Sequence, residues 1–319
     1  MSHRLSIAVS SALFIGLAQS ALAQDILNFN ANVEVDSDIV GAGEAEARQG
    51  GRVELNTLAQ RALGDYFILG KGTMVMRNGG DLGTDDMYLK LGSSLWDLQV
   101  GRFEAADLFP KGKDVIVEHA GGVTVYEANF VRGRANEGGQ IAFHVNATDN
   151  LQLELATFYG DNGTFGTDGK LFSGVRPSIS YKGERFMLGA GIEALRREVD
   201  GDSFTQMGYG LTAGVELGGN LLRANFAQLG DQPGGGKVTT LGLNLTRGNF
   251  GGGLVHSLND GAGAGGDPEV TTVYAGYTIP LLGLEGASIT FGASYSMADN
   301  VSGDDSLAAA RVRFNYAMF

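Results

Sequence analysis

The chain has 319 residues with 51 glycines, 5 prolines and no cysteine, and its acidic side chains outnumber its basic ones by 36 to 23. The formal net charge of -13 argues against a nucleic-acid-binding protein, which needs a basic face. The absence of cysteine excludes disulfide scaffolds, thiol catalysis and cysteine metal sites. Mean hydropathy is near zero, a value typical of soluble proteins.

Residues 1–23 have the three parts of a secretory signal peptide. A short basic start is followed by an apolar core at 5–18 and by the cleavage sequence Ala-Leu-Ala at 21–23. The apolar core is shorter than the ~20 residues that a membrane-spanning helix needs. We therefore expect cleavage and export, which leaves 24–319 as the mature chain. Since no later segment is a long apolar run, any membrane embedding must be by strands.

The mature chain has a hydrophobic period of two. Leu151, Leu153 and Leu155 fall on one face of an extended segment, and Gln152 and Glu154 fall on the other. Such segments are half-apolar strands, which suit either a soluble sandwich or a membrane barrel. We count sixteen of them, at 27–37, 51–58, 64–77, 85–92, 95–102, 138–147, 151–159, 171–181, 185–196, 204–217, 220–228, 238–247, 250–258, 269–279, 287–297 and 306–319.

The connections between these strands fall into two length classes. Tight joins lie at 93–94, 182–184, 218–219 and 248–249, and long polar stretches lie at 38–50, 160–170, 229–237, 259–268 and 298–305. Short turns at one rim and long loops at the other are typical of outer-membrane barrels. The sequence therefore predicts one all-β domain, a transmembrane antiparallel barrel of sixteen strands in the outer membrane.

One connection is exceptional. Residues 103–137 form a stretch far longer than the ~12 to 15 residues at which loops become functional or disordered. It is also too rich in Val, Phe, Leu and Ile to be a solvated loop. We expect this segment to fold into the barrel and pack against its interior.

The run at 88–160 resembles the central portion of the trimeric general porins of Gram-negative bacteria. It carries two Gly-Arg pairs, at 101–102 and 133–134, on either side of the long segment, and the strand that begins Gly51-Arg52 is similar to the family's second strand. The resemblance implies a homotrimer of sixteen-stranded barrels with a narrow waist, where wall arginines face carboxylates of the inserted loop. Carried over by position, the wall residues are Arg52, Arg102, Arg132 and Arg134, and the loop residues are Glu104, Asp107, Asp114 and Glu118. Lys111 and Lys113 depart from the family pattern because they dilute the acidity of the loop.

Fixed charges of opposite sign across a water-filled gap orient dipolar solutes and disfavour apolar ones. The sequence thus predicts a porin for passive diffusion of small hydrophilic solutes and ions. An alternative is a carbohydrate-selective porin in which Phe103, Phe109 and Tyr126 stack on sugar rings, although the same aromatics could equally anchor the loop to the wall. A second alternative is a barrel that serves only as an anchor, with the long segment as a plug.

No enzymatic site or cofactor is expected. His256 and Ser257 are adjacent on a strand and point to opposite faces, so they cannot form a base–nucleophile pair. Calcium binding by loop acids is an open alternative to simple solvation, and the candidates are Asp161, Asp168, Asp304 and Asp305.

Overall fold

A computed structural model describes residues 25–113, 115–134, 138–160, 172–199, 202–230, 236–261 and 266–318. These residues form one closed antiparallel β-barrel of sixteen strands, which confirms the predicted fold class and strand count. The predicted signal peptide at 1–23 lies outside the described residues.

Each strand pairs with its neighbours in sequence, and the last strand closes the barrel on the first. The strands are β1 Ile26–Gly41, β2 Ala45–Leu63, β3 Tyr66–Arg77, β4 Leu82–Ser93, β5 Trp96–Arg102, β6 Gly138–Thr148, β7 Leu151–Gly160, β8 Phe172–Lys182, β9 Phe186–Val199, β10 Asp202–Leu217, β11 Asn220–Leu229, β12 Lys237–Arg247, β13 Phe250–Asp260, β14 Glu269–Pro280, β15 Ala287–Asp299 and β16 Ser306–Met318. A 3-10 turn occurs at Ala120–Gly122. Within the described ranges, no helix is long and apolar enough to cross a membrane.

β15 shows how the alternating sequence builds the wall. Phe291, Tyr295 and Met297 are 47%, 45% and 52% exposed on the outer face, whereas Ser294 and Ser296 between them are 7% and 0% exposed. Large apolar side chains on the outer face suit lipid, and small polar ones suit the interior. The period of two therefore sets which residues can take part in a site inside the barrel.

The predicted long connection at 38–50 is wrong. β1 continues to Gly41 and β2 begins at Ala45, so the two strands are joined by three residues. Asp38 and Arg48 made this stretch resemble a polar loop, but both side chains have partners inside the barrel. Asp38 accepts hydrogen bonds from Arg311 at 2.6 and 2.7 Å, and Arg48 pairs with Glu118 at 3.2 Å.

The inserted segment, which we define as residues 103–137, runs from the end of β5 to the start of β6. Its described side chains contact the inner wall from β7 round to β16. Wall glycines allow a close approach, since a Cβ at Gly210 would lie 2.6 Å from the Cβ of Ala128 and 2.8 Å from that of Leu108. The segment thus covers much of the interior and leaves charged side chains on β2 more open, with Arg52 43% exposed.

Candidate functional site

Both ends of the inserted segment meet β4 in a group of charged side chains, which we name the loop-base cluster. Arg134 lies 2.8 Å from Asp85 and 3.1 Å from Asp86. Glu104 lies 3.2 Å from Arg132 and 3.6 Å from Arg134. The two ends of the segment are therefore held to each other and to the wall by ion pairs. The cluster consists of Asp85, Asp86, Arg102, Glu104, Asp107, Arg132 and Arg134.

Arg102 donates hydrogen bonds to three backbone carbonyl oxygens. Its Nε donates to the carbonyl oxygens of Thr84 and Asp85 at 2.9 and 2.8 Å, and its Nη1 donates to the carbonyl oxygen of Arg134. This arginine therefore joins β4 to the returning end of the segment. Asp107 lies 3.6 Å from Arg132 and is 41% exposed at its side chain.

A second charged group lines the inner wall where the first and last strands meet. Arg313 and Asp36 form a bidentate pair with distances of 2.7 and 2.8 Å. One pair further along, Arg311 and Asp38 do the same at 2.7 and 2.6 Å. Bidentate pairs of this kind fix geometry as well as charge. We name the group the seam cluster, and it consists of Glu34, Asp36, Asp38, Arg52, Glu54, Arg311 and Arg313.

Arg52 lies at the open side of the seam cluster. Its Nε is 3.0 Å from Glu34 and 2.8 Å from Glu54, and 43% of its side chain is exposed. Glu118 lies elsewhere, because it reaches Arg48 on β2 at 3.2 Å near the middle of the inserted segment.

The structure brings most of the predicted constriction residues together but divides them differently. Arg132 and Arg134 belong to the inserted segment and not to the barrel wall, because the chain rejoins the wall only at Gly138. The expected division into wall arginines and loop carboxylates is therefore wrong for these two. Five of the eight predicted residues lie in the loop-base cluster, Arg52 lies in the seam cluster, Glu118 lies apart from both, and Asp114 lies outside the described residues.

The aromatic residues predicted as a sugar track are buried. Phe103, Phe109 and Tyr126 are 2%, 2% and 0% exposed, so no ring face is available to a solute. Phe103 packs edge-on against Tyr88 of β4 with ring centroids 5.9 Å apart. These residues anchor the segment to the wall, because wall positions such as Gly242, whose Cβ would lie 2.8 Å from Phe109, leave room for a ring.

Three buried wall residues that the sequence analysis missed hold the backbone of the segment. Glu154 of β7 accepts the N–H of Ala106 at 3.1 Å. Arg176 of β8 donates to the carbonyl oxygen of Ala106 at 2.7 Å. Glu193 of β9 accepts the N–H of Val131 at 3.0 Å and the Tyr126 hydroxyl at 2.6 Å. Both the outgoing and the returning part of the segment are therefore held by charged side chains of the wall.

Titratable groups of the segment reflect this burial. Burial, reinforced by Glu193, raises the pKa of the Tyr126 hydroxyl, which therefore stays protonated and donates. Burial, with a smaller effect of Lys111, lowers the pKa of His119 to about 4, so its ring is neutral at neutral pH. His119 Nδ1 lies 2.7 Å from the Thr272 hydroxyl. Burial also lowers the pKa of Lys113.

Comparison with known families decides the identity. Residues 24–204 match the family described as Porin-like glycoporin RafY. The chain belongs to this family. The porin is thus an outer-membrane β-barrel that forms a channel, as the sequence predicted. No curated protein sequence matches the chain.

Solved porin structures share the fold of this porin. The anion-selective porin from Comamonas acidovorans has a TM-score of 0.69 and 14% identity, over 92% of this chain and 100% of that chain. In-vitro folded OmpT of Vibrio cholerae has a TM-score of 0.67 and 12% identity, over 95% and 99%. Salmonella typhi OmpF in complex with daunomycin has a TM-score of 0.66 and 12% identity, over 91% and 97%. Identities this low establish the fold only.

The described part of the porin contains no group of three or more His, Asp or Glu side chains that could hold a metal ion. Calcium binding near Asp304 and Asp305 stays a prediction, and Asp161 and Asp168 lie outside the described residues.

Proposed function

We propose that the porin lets small hydrophilic solutes and ions diffuse passively through a gap between the inserted segment and the wall formed by β1, β2, β4 and β16. The observation that carries this proposal is the pair of charged clusters, one at the base of the segment and one at the seam. Both contain arginines and carboxylates with partial exposure, such as Arg52 at 43% and Glu104 at 38%. A charged, water-accessible gap favours polar solutes and excludes apolar ones.

Selectivity provides the direct test. Arg52→Ala removes an exposed cation and leaves Glu34 and Glu54 facing the gap without it. We expect a roughly fivefold fall in the permeability ratio of chloride to potassium, because a unit charge about 9 Å away in water is worth about 0.5 kcal/mol to each ion, with opposite signs for the anion and the cation. Arg102→Ala is expected to shift selectivity in the same direction. The measurement is the reversal potential of purified porin in a planar bilayer under a salt gradient.

Arg185→Ala is the matched control. It removes the same unit of positive charge, but Arg185 lies in the exposed turn between β8 and β9 at the rim of the barrel. Its reversal potential should equal that of the wild type. Equal reversal potentials for the wild type and all variants would show that the two clusters do not line the constriction. Block of the current by millimolar maltodextrins would instead favour a carbohydrate-selective channel, which the family description as a glycoporin makes worth testing.

We further propose that the porin is a homotrimer. An apolar groove of about 740 Å³ crosses the outer face of β1–β4, and Phe29, Leu55, Met74 and Met87 line it. One of the similar structures, OmpT of Vibrio cholerae, is described in a trimer form. We expect native mass spectrometry of the detergent-extracted porin to give three times the mass of one chain. A monomer that conducts would contradict this arrangement.

A further inference from the structure

The clamp formed by Glu154, Arg176 and Glu193 is part of a longer row of charges. From β4 to β9, each strand contributes one lumen-facing ionisable side chain to this row, and each member of the row contacts the next. The distances are 3.1 Å for Lys90–Asp97, 2.6 Å for Asp97–His144, 3.1 Å for His144–Glu154, 3.5 Å for Glu154–Arg176 and 3.1 Å for Arg176–Glu193. We name these six residues the buried ion chain.

The geometry at the centre of the buried ion chain defines a protonation state. His144 Nδ1 faces Asp97, its Nε2 faces Glu154, and all three side chains are less than 9% exposed. A neutral imidazole has only one N–H, so it would present a lone pair to one of the two carboxylates. Only the imidazolium ion donates to both. With His144 protonated, the signs alternate along the chain and the sum of the charges is zero.

Loss of that proton from His144 gives the buried ion chain a net negative charge. The chain would then hold three carboxylates against two cations, Lys90 and Arg176. The excess negative charge would fall beside Glu154, which accepts the N–H of Ala106 in the inserted segment at 3.1 Å. An uncompensated buried charge is costly, because little water is present to solvate it. The proton on His144 therefore supports the attachment of the outgoing part of the segment at Ala106.

We infer that His144 is a pH-sensitive positioning residue whose proton controls how firmly the inserted segment is held against the wall. This inference rests on the proposed function, in which the segment bounds the conducting gap. A segment that detaches in part enters the gap and interrupts the current. The channel therefore closes rarely while His144 is protonated, and brief closures become frequent once His144 is neutral.

Among the side chains of the buried ion chain, only His144 belongs to a residue type that ordinarily titrates near neutral pH. Asp97 and Glu154 face it directly, and Lys90 and Arg176 are the next members of the chain on either side. Carboxylates ordinarily titrate near pH 4, and lysine and arginine above pH 10, whereas histidine titrates near pH 6.5. Of the other two described histidines, His119 has a pKa of about 4, and His256 is on β13, away from the buried ion chain.

The test is single-channel recording in a planar bilayer at constant salt, from about pH 6 to about pH 9. In the wild type, we expect a reversible, roughly tenfold rise in the frequency of closures as the pH increases, equivalent to about 1.4 kcal/mol. His144→Gln should close frequently at every pH, because its chain always lacks one positive charge. His256→Gln is the matched control and should behave like the wild type.

A double variant separates charge balance from loss of packing. His144→Gln with Glu154→Gln restores a net charge of zero, and the new amide oxygen can still accept the N–H of Ala106. This variant should show few closures across the whole pH range. Heat-modifiable migration on a gel checks that each variant is folded.

Three results would overturn the inference: wild-type closures that do not depend on pH, a pH dependence that survives in His144→Gln, or a double variant as noisy as the single one. The proposed function fails separately, because it depends on the reversal potentials of Arg52→Ala and Arg102→Ala. If those variants have altered selectivity but the closure frequency of the wild type does not depend on pH, the proposed constriction stands and the proposed role of His144 is wrong.

Discussion

Glu193→Ala is expected to detach the returning part of the inserted segment, around Tyr126, Phe130 and Val131, and to destabilise the barrel. The carboxylate is 2% exposed at its side chain and pairs with Arg176, which is completely buried. It also accepts hydrogen bonds from the Tyr126 hydroxyl and from the N–H groups of Phe130 and Val131. Removing one partner of a buried ion pair costs about 3 to 5 kcal/mol, because the other charge remains without compensation. We expect a clear fall in the temperature of unfolding in detergent and an unstable single-channel current.

Glu216→Ala provides the control for this change. Glu216 is on β10 near the turn to β11, and it is exposed. Its loss should leave both the unfolding temperature and the current unchanged. Glu193→Met combined with Arg176→Met should recover part of the stability, because the double change leaves no unpaired charge. A single variant with wild-type stability and a steady current would show that the segment is held by its apolar contacts alone.

The strands could be predicted from the sequence because their lipid-facing residues alternate with polar ones. The prediction failed in the β1–β2 hairpin, where Asp38 and Arg48 interrupt the apolar pattern. Such residues look like a loop in one dimension. In the barrel their partners lie on β16 and on the inserted segment, more than 60 residues away. A charge at a lumen position is compatible with a strand whenever a partner from another strand can reach it.

The candidate site was predicted in part for a related reason. The Gly-Arg pairs placed Arg102 and Arg134 near the ends of the segment, and these ends do meet. Sequence could not show that Arg134 would bind Asp85 and Asp86, since the neighbours of a lumen side chain depend on the strand register. It also missed Arg311 and Arg313, which lie in the last strand and reach the first one only after closure.

The aromatic residues show that residue type alone does not predict whether a side chain is available to a solute. Phe109 and Tyr126 have the chemistry of a sugar-binding surface, but the wall opposite them has glycines at 242 and 208. A Cβ at Gly208 would collide with the Tyr126 ring. Glycine on the wall and an aromatic ring on the segment together make a packed contact. The pairing of those positions appears only when the segment has been placed in the barrel.

The seam between the first and last strands should be the most sensitive place for folding. Arg311→Leu with Arg313→Leu leaves Asp36 and Asp38 at 7% and 9% exposure with neither bidentate partner. It also removes the bond of 3.0 Å from Arg311 to the carbonyl oxygen of Val115, which joins the seam to the inserted segment. At about 3 to 5 kcal/mol for each broken pair, the cost approaches the whole stability of many proteins. We expect little folded barrel when the double variant is refolded into detergent and assayed by heat-modifiable migration.

Two further variants decide whether charge at the seam is the cause of this loss. Adding Asp36→Leu and Asp38→Leu removes the uncompensated carboxylates, so the fourfold variant should regain folded barrel. Arg223→Leu removes a half-buried lumen arginine on β11 that has no carboxylate within 4 Å in the described part of the chain, and it should fold nearly as well as the wild type. Full refolding of the double variant would mean that the backbone pairing of β1 with β16 closes the barrel unaided. Recovery in the fourfold variant would instead assign the loss of folding in the double variant to the uncompensated aspartates of the first strand, which the arginines of the last strand neutralise in the wild type.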